Sequence, residues 1–297
     1  MSIMDFSGKH FLVIGAGISG RAASLALAGH GGSVTLNDMK AIDTAEQPWP
    51  DIKAAGVQLV FGSQETALLD GMDVVVPSPV ISPEIPIMKE AARRGLPIWS
   101  EVEVACRVTD ADMIGITGTN GKTTTTTLVG EIMKATGRQT VVGGNIGYGL
   151  SAQADNLPKE AVVVAELSSF QLEFTHSIKA KAATILNITP DHLDRHHTME
   201  GYAAAKERIF LNQDKGDYAV LNYDDERVRA MAKDMTGTVV YFSTCGEVPE
   251  GAFYRDGQLI LRLHGQDTVV CAETDLHLFG KHNIQNCLAA ILLTYAA

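Results

Sequence analysis

Apolar and polar positions fall in blocks along this chain, and the period changes from block to block. His10-Phe11-Leu12-Val13-Ile14 is a short apolar run of the buried-strand type. Gly15-Ala16-Gly17-Ile18-Ser19-Gly20 follows, and then an alanine-rich stretch to about Ala28 that predicts a helix. Val34-Thr35-Leu36 predicts a second strand, closing on Asn37-Asp38. Val57 to Phe61 and Val74-Val75-Val76 predict two more strands, Pro77-Ser78-Pro79 breaks the chain, and Met88 to Arg94 reads as a short helix before Gly95. Strands alternating with helices build a parallel sheet, so residues 1–106 are expected to form a Rossmann-like α/β domain.

A second α/β pattern starts near Ala111. Met113-Ile114-Gly115-Ile116 is strand-like, Gly118-Thr119-Asn120-Gly121-Lys122-Thr123 is a glycine-bearing turn, and Thr124 to Ala135 reads as a helix. Five β-branched residues, Thr123 to Thr127, are poor material for that helix, because branching at Cβ restricts the rotamers a helix allows. Further strands are expected at Ala161 to Ala165, Ala183 to Leu186, Tyr218 to Leu221 and Val239 to Phe242, then in a β-rich stretch at Gln258 to Leu263 and Thr268 to Cys271. Residues 107–297 are therefore expected to form a P-loop NTPase-like α/β domain, with no Pro/Gly/Ser linker to sharpen the boundary. Asn286 to Ala297 predicts an apolar helix without a C-cap signal, and the expectation is that a further, C-terminal domain is absent here.

Composition narrows the function classes. A length of 297 residues suits about two domains, each with its own core. A net charge of −11 excludes a broad electrostatic grip on nucleic acid, so any phosphate must be held by a local device. Cys106, Cys245, Cys271 and Cys287 are far apart and form no C-x-x-C, which argues against a zinc knuckle or a disulfide framework. There is no signal-peptide pattern and no apolar run of about 18 residues, so a soluble cytoplasmic protein is expected.

The chemistry is concentrated in a few segments. Strand, tight turn, Gly121-Lys122-Thr123 and helix form a polyphosphate cradle: backbone N–H groups face the anion, the lysine adds a point charge, and the hydroxyl can ligate Mg²⁺. Ile116 stands where the strict G-x-x-x-x-G-K-[ST] pattern has its first glycine. Gly15-x-Gly17-x-x-Gly20 with Asp38 further on matches a dinucleotide fingerprint, open to NAD(P), to another nucleotide-like ligand or to a purely structural turn. Glu166, at the end of a strand and opening Glu166-Leu167-Ser168-Ser169-Phe170-Gln171-Leu172, is placed to hold Mg²⁺, against the alternative of a dipole-favoured helix N-terminal residue. Asn187 to His197 packs His192, His196 and His197 with Asp191 and Asp194 into one loop, which points to a site, although zinc-ligand spacing is lacking. Lys206 projects from the apolar face of a helix beside Tyr202, Ile209 and Phe210, and is either a snorkelling lysine or a buried, neutral amine. Asn145, in a glycine-rich turn, and Asn283 and Asn286, at i and i+3 on the last helix, are either ligand-reading amides or turn and cap residues.

Taken together, these segments resemble the Mur ligases, ATP-dependent amide-forming enzymes of peptidoglycan synthesis. The motifs that carry the resemblance are Gly118 to Thr123, Gly144-Asn145-Ile146-Gly147, Glu166 to Leu172, Asn187 to Asp194, Tyr202-x-x-x-Lys206 and Gly280-x-His282-Asn283-x-x-Asn286, in the family's order. Gly15 to Gly20, Pro77-Ser78-Pro79 and Ser100-Glu101-Val102-Glu103 look most like the D-glutamate-adding branch. The resemblance implies a cytoplasmic monomer of the cell-wall, cell-shape and cell-division machinery. It would act on UDP-N-acetylmuramoyl-L-alanine and D-glutamate through an acyl phosphate, without nucleic acid or membrane. It implies ATP on Gly118, Thr119, Asn120, Gly121, Lys122, Thr123 and Thr124, with Asn283 and Asn286 on the adenine side. It implies two Mg²⁺ sites, one on Thr123 and Glu166 and one on His192, and a carbamylated lysine at Lys206 on the metal side, so that Lys122, His192 and Lys206 carry the catalysis. It implies UDP-sugar contacts from Gly17, Ile18, Ser19, Asp38, Ser78 and Asn145, although Met39 and Lys40 stand where a hydroxyl and an arginine are expected. In the family a third domain carries most of the amino-acid pocket, so this chain is expected to bind UDP-sugar yet ligate poorly. A sister ligase acting on another amino acid or on folate, and a NAD-dependent enzyme with an accessory NTPase unit, are the competing readings.

Overall fold

The computed structural model describes residues 4–277 and 280–297. Its elements run β1 (His10–Ile14), α1 (Ile18–Gly29), β2 (Ser33–Asp38), α2 (Trp49–Ala54), β3 (Gln58–Phe61), β4 (Val74–Pro77), α3 (Pro86–Arg93) and α4 (Glu101–Val108). There follow β5 (Asp112–Thr117), α5 (Lys122–Ala135), β6 (Thr140–Gly144), α6 (Leu150–Ala154), β7 (Val162–Glu166), α7 (Ser169–Glu173), β8 (Ala182–Ile185), α8 (Leu193–His196) and α9 (Met199–Glu207). The chain closes with β9 (Tyr218–Asn222), α10 (Glu226–Ala230), β10 (Thr238–Ser243), β11 (Gly251–Arg255), β12 (Gln258–Leu263), β13 (Gln266–Ala272) and α11 (Lys281–Ala296). These divide into two compact units: the chain up to Asp110 with Gly147–Lys159 and Phe170–Ser177, and Ala111–Ile146 with Glu160–Ser169 and Ile178–Ala297.

The first unit holds a four-stranded parallel sheet in the order β3-β2-β1-β4. Successive side chains of a strand leave on opposite faces, and β1 shows the consequence. Phe11 and Val13 join a core with Ala23 and Leu27 of α1, Ile52 of α2 and Val104 of α4. Leu12 and Ile14 enter a second core with Ile87, Met88 and Ala91 of α3. Both faces are covered, so the strand reads as an unbroken apolar run rather than an alternation. Glycine lets α1 start close against the sheet: a Cβ on Gly20 would lie 1.8 Å from the Gly15 carbonyl oxygen. The small helix α6 belongs to this unit, where it packs on α1 and α4.

The second unit is built on a nine-stranded sheet ordered β13-β12-β11-β10-β9-β8-β5-β7-β6. Its pairs are parallel from β6 to β11 and antiparallel for β11–β12 and β12–β13. The last helix, α11, buries Ile284, Cys287, Leu288, Leu292 and Leu293 in the main core of this unit, together with Val129 and Met133 of α5 and residues of the central strands. Its all-round apolarity is that of a core helix.

The expected α/β architecture is present in both units; most strand ends lie within two residues of expectation, α11 begins five residues before the expected Asn286, and the first unit takes in Gly147–Lys159 and Phe170–Ser177 in addition to the N-terminal stretch. Strands β6 and β11 and helices α2 and α4 carry no strong pattern in the sequence. Strand β6 ends on two glycines, β11 is five residues with a glycine and an arginine, and α2 has proline in its first turn. The threonine run does form helix, because burial outweighs propensity: Thr125 and Thr126 are fully buried, and the Thr127 hydroxyl donates to the Thr123 carbonyl at 2.8 Å. Among the described residues, no helix is long and apolar enough to cross a membrane.

Candidate functional site

Strand β5 delivers the loop 118–121 to the C-terminal edge of the second sheet, where α5 begins. Gly118 and Gly121 have φ of +150° and +87°, values that residues with a Cβ rarely adopt. A Cβ on Gly121 would also lie 2.4 Å from Asn286 Oδ1. Asn187, in the loop after β8, clamps the turn. Its Oδ1 accepts from the Asn120 N–H (2.8 Å), its Nδ2 donates to the Asn120 carbonyl (3.0 Å), and its own carbonyl accepts from the Thr119 N–H (2.9 Å). No side chain caps the N-terminus of α5, so its first N–H groups are left for an anion. Lys122 folds back over the loop, its Nζ donating to the carbonyls of Gly118 (3.0 Å) and Thr119 (2.9 Å). Burial pushes its pKa down, with Glu166 and Asp191 pulling it back up.

Glu166 ends β7, the strand next to β5, and its side chain is buried. Asn145 donates to Glu166 Oε1 at 2.9 Å, and the Asn145 backbone N–H donates to the Glu166 carbonyl at 2.8 Å. Glu166 Oε2 is buried without a hydrogen-bond partner. An orphaned carboxylate oxygen in a buried position is costly unless a cation or another donor arrives. Its chemistry therefore suits a divalent cation beside the phosphate loop. Among the described residues, no three His, Cys, Asp or Glu side chains converge as a ready-made metal cluster. Mg²⁺ commonly binds through one or two carboxylates plus phosphate oxygens, so the donor set fits that ion in company with a polyphosphate. Thr123 is exposed at the first turn of α5, and Thr124 is half-buried behind it.

Lys206 decides the question its helix left open. It lies in α9 and is 2% exposed, with Nζ donating to the Gly118 carbonyl at 2.9 Å and to Thr117 Oγ1 at 3.4 Å. Desolvation, reinforced by the positive charge of Lys122, lowers its pKa to about 7. The snorkelling alternative is excluded by burial, and the amine sits on the same carbonyl as Lys122. Tyr202, one turn earlier, presents its ring 4.7 Å from the Lys206 Nζ and its hydroxyl 3.2 Å from Thr119 Oγ1.

His192 has a left-handed backbone (φ +49°) and a half-exposed side chain, with Nε2 3.4 Å from Asp191 Oδ2 and its ring 6.3 Å from that of Tyr202. Asp191 acts electrostatically on both Lys122 and Lys206, so the loop 187–197 faces the phosphate loop. His196 lies 2.9 Å from Ser169 Oγ. Lys122, Glu166, Asp191 and Lys206 are thus gathered at one end of the sheet, with His192 on the rim. Asn286 is buried and engaged inside the protein: its Oδ1 accepts from Thr125 (3.3 Å) and its Nδ2 donates to Asn283 Oδ1 (3.2 Å). Asn283 is half-buried beside it. The clamp by Asn187 and the Asn145–Glu166 bond were not foreseen in the sequence. The signal available for Asn187 was its place directly after a strand that pairs with β5.

The remaining site residues lie in the first unit. Gly17 and Ile18 are exposed and Ser19 is half-buried, at the start of α1. Asp38 ends β2, accepting from the N–H of Ala16 (2.9 Å) and of Lys40 (2.9 Å). Ser78 is buried and donates to the Gly15 carbonyl (3.1 Å), bracing the glycine turn from below. A cleft of about 290 Å³ opens here, lined by Gly15, Asp38, Met39, Gln64, Val80, Ile81, Ser82 and Ile85.

Comparison with known proteins places the chain in a family. Residues 116–294 match the model of the Mur ligase middle domain. The chain is 44% identical over 289 residues to the UDP-N-acetylmuramoylalanine--D-glutamate ligase of Pelotomaculum thermopropionicum, covering 97% of this chain and 64% of that protein. It is 46% identical over 292 residues to the enzyme of the same name from Desulfitobacterium hafniense, covering 97% and 63%. The chain thus spans a little under two thirds of the length of these relatives. In fold it is similar to the crystal structure of UDP-N-acetylmuramate:L-alanyl-gamma-D-glutamyl-meso-diaminopimelate ligase from Neisseria meningitides, with a TM-score of 0.63 at 20% identity over 97% of this chain and 93% of that one. With a family model matched over more than half its length, this chain belongs to the Mur ligase family.

Proposed function

We propose that the chain is the UDP-sugar- and ATP-binding portion of a ligase that joins D-glutamate to UDP-N-acetylmuramoyl-L-alanine in peptidoglycan synthesis, in the cytoplasm. The first unit holds the UDP-sugar and the second holds ATP. In the reaction the γ-phosphate of ATP passes to the alanine carboxylate, and the amine of D-glutamate then displaces phosphate from the acyl phosphate to leave an amide. The observation that carries this reading is the gathering of Lys122 and Lys206 on one loop carbonyl beside the orphaned oxygen of Glu166.

In this reading the residues position and neutralise rather than react covalently. The free N–H groups at the start of α5 and the Lys122 ammonium hold the terminal phosphates. Thr123 and Glu166 would hold one Mg²⁺, and His192 with Lys206 a second. Bound there, the ions neutralise charge that develops on the transferring phosphoryl group. Asn145 keeps one oxygen of Glu166 occupied and leaves the other toward the cation. Lys206, whose pKa of about 7 leaves much of it as free amine at neutral pH, is suited to take up CO₂ as a carbamate, which would turn a cation into an anionic ligand. Thr119, Asn120 and Thr124 shape the cradle, and Asn283 and Asn286 back it on the adenine side.

Calorimetric titration tests the reading. The chain should bind UDP-N-acetylmuramoyl-L-alanine, and should bind an unhydrolysable ATP analogue with Mg²⁺. Lys122→Ala and Glu166→Gln should each lose the second without the first. Binding of NAD in place of the UDP-sugar would sink the proposal. Phosphate release that needs a different amino acid would move it to a sister ligase.

A further inference from the structure

The cleft of the first unit is lined by both apolar and polar side chains. Met39 and Val80 are large apolar residues left 67% and 83% exposed, and both line the cleft, with Ile81 and Ile85 beside them. Exposed apolar side chains that converge on a concave site suit a flat ring. Asp38, at the end of β2, and Gln64, three residues beyond β3, are the polar side chains of the lining that matter here. At about 290 Å³ the space lies at the small end of ligand sites and is large enough for a nucleobase with its sugar.

The orientation of the Gln64 amide is settled by its neighbours. Asn37 is fully buried, and its Nδ2 donates to two backbone carbonyls, of Val60 (2.8 Å) and Ser63 (2.7 Å). Carbonyls only accept, so the Asn37 nitrogen must face them and its oxygen must face away. That oxygen accepts from Gln64 Nε2 at 3.2 Å. Turning the Gln64 amide over would set two carbonyl oxygens against each other. Gln64 therefore presents a fixed pair: its carbonyl oxygen as acceptor and the second hydrogen of Nε2 as donor.

We propose that Gln64, locked by Asn37, is the residue through which this cleft selects uracil over cytosine. The proposal rests on the reading of the first unit as a UDP-sugar domain. Uracil offers an imide N–H next to a carbonyl, the complement of the fixed amide. Cytosine offers a bare ring nitrogen next to an amino group, the reverse order, and the locked amide cannot flip to meet it. Asp38, an acceptor at the end of β2, is left for the sugar hydroxyls.

Titration of the chain with UDP and with CDP tests this. Wild type should prefer UDP by about tenfold or more, the effect of one polar pair made or left unmade in a concave site. In Gln64→Met, which keeps the length but removes both polar groups, UDP affinity should fall about tenfold and the preference should vanish. In Asn37→Ala the amide is free to turn, so CDP affinity should rise toward that of UDP. Circular dichroism establishes that each variant is folded, and if Asn37→Ala is not, Gln64→Met decides. A preference for UDP that survives in Gln64→Met, or equal UDP and CDP binding in wild type, overturns the proposal alone. No UDP binding at all overturns the UDP-sugar reading beneath it as well.

Discussion

Lys206 and Glu101 are buried ionisable residues whose pKa values are both moved to about 7, and they make stability depend on pH in opposite directions. Lys206 is depressed to about 7 by burial and by Lys122, so between pH 7 and its ordinary 10.5 the unfolded chain binds more protons than the native one. Native stability therefore rises with pH across that window, by ~5 kcal/mol at most. In urea titrations, Lys206→Met should gain on wild type as the pH falls from 10 to 7. Glu101, in the first unit, is held by Ser151: its Oε1 accepts from the Ser151 N–H (2.5 Å) and hydroxyl (2.6 Å), while Oε2 is buried without a partner. Burial pushes its pKa up to about 7 from 4.5, so here the native state binds the extra proton and stability falls as pH rises from 4.5 to 7. Glu101→Gln removes that penalty, and its advantage over wild type should widen by up to ~3 kcal/mol between pH 5 and 8, read from urea midpoints. Asn145 belongs to the same scale. Removing its bond to Glu166 Oε1 frees the carboxylate to rotate. Asn145→Ala should weaken Mn²⁺ binding in the presence of an ATP analogue by about ten- to a hundredfold, measured by electron paramagnetic resonance.

At the scale of elements, the ends of helices set the site. Helix α9 starts at Thr198, whose Oγ1 accepts from the Gly201 N–H at 3.0 Å, and it carries Tyr202 and Lys206 on its buried side. Thr198→Val should cost about 1 kcal/mol in global stability by calorimetry, the usual effect of a lost N-cap. Helix α5 depends instead on Gly121, where both the left-handed backbone and the contact with Asn286 exclude a side chain. Gly121→Ala should lower stability by about 1–3 kcal/mol and abolish binding of the ATP analogue, since the turn that aims the N–H groups must shift. Unchanged nucleotide affinity in that variant would mean that the loop geometry does not make the site.

At the scale of the whole molecule, the ligand and the protein carry charge of the same sign. With a net charge of −11, the chain repels a polyphosphate at long range, and attraction is left to Lys122 and the start of α5. Added salt screens the long-range repulsion over about 8–10 Å and reaches the partly buried lysine much less. Stopped-flow association of an ATP analogue should therefore speed up modestly between 20 and 150 mM salt (on the order of twofold), where a basic nucleic-acid binder would slow down.

Much of this was legible in the order of residues. Continuous apolar strands such as Phe11 to Ile14 announce a sheet covered on both faces, and Gly121-Lys122-Thr123 announces a phosphate cradle, because both depend on neighbours in the chain. The motifs around Glu166, His192 and Lys206 were drawn into one expected site only by the family resemblance, since these residues come from different strands and helices and no local pattern joins them. Short elements such as β11 and α2 lack local signals and are held by packing. Whether Lys206 is wet or buried, which oxygen of Glu166 is left free, and which way Gln64 faces were decided by tertiary contacts. Burial and hydrogen-bond direction are properties of a three-dimensional surround that no window along the chain contains.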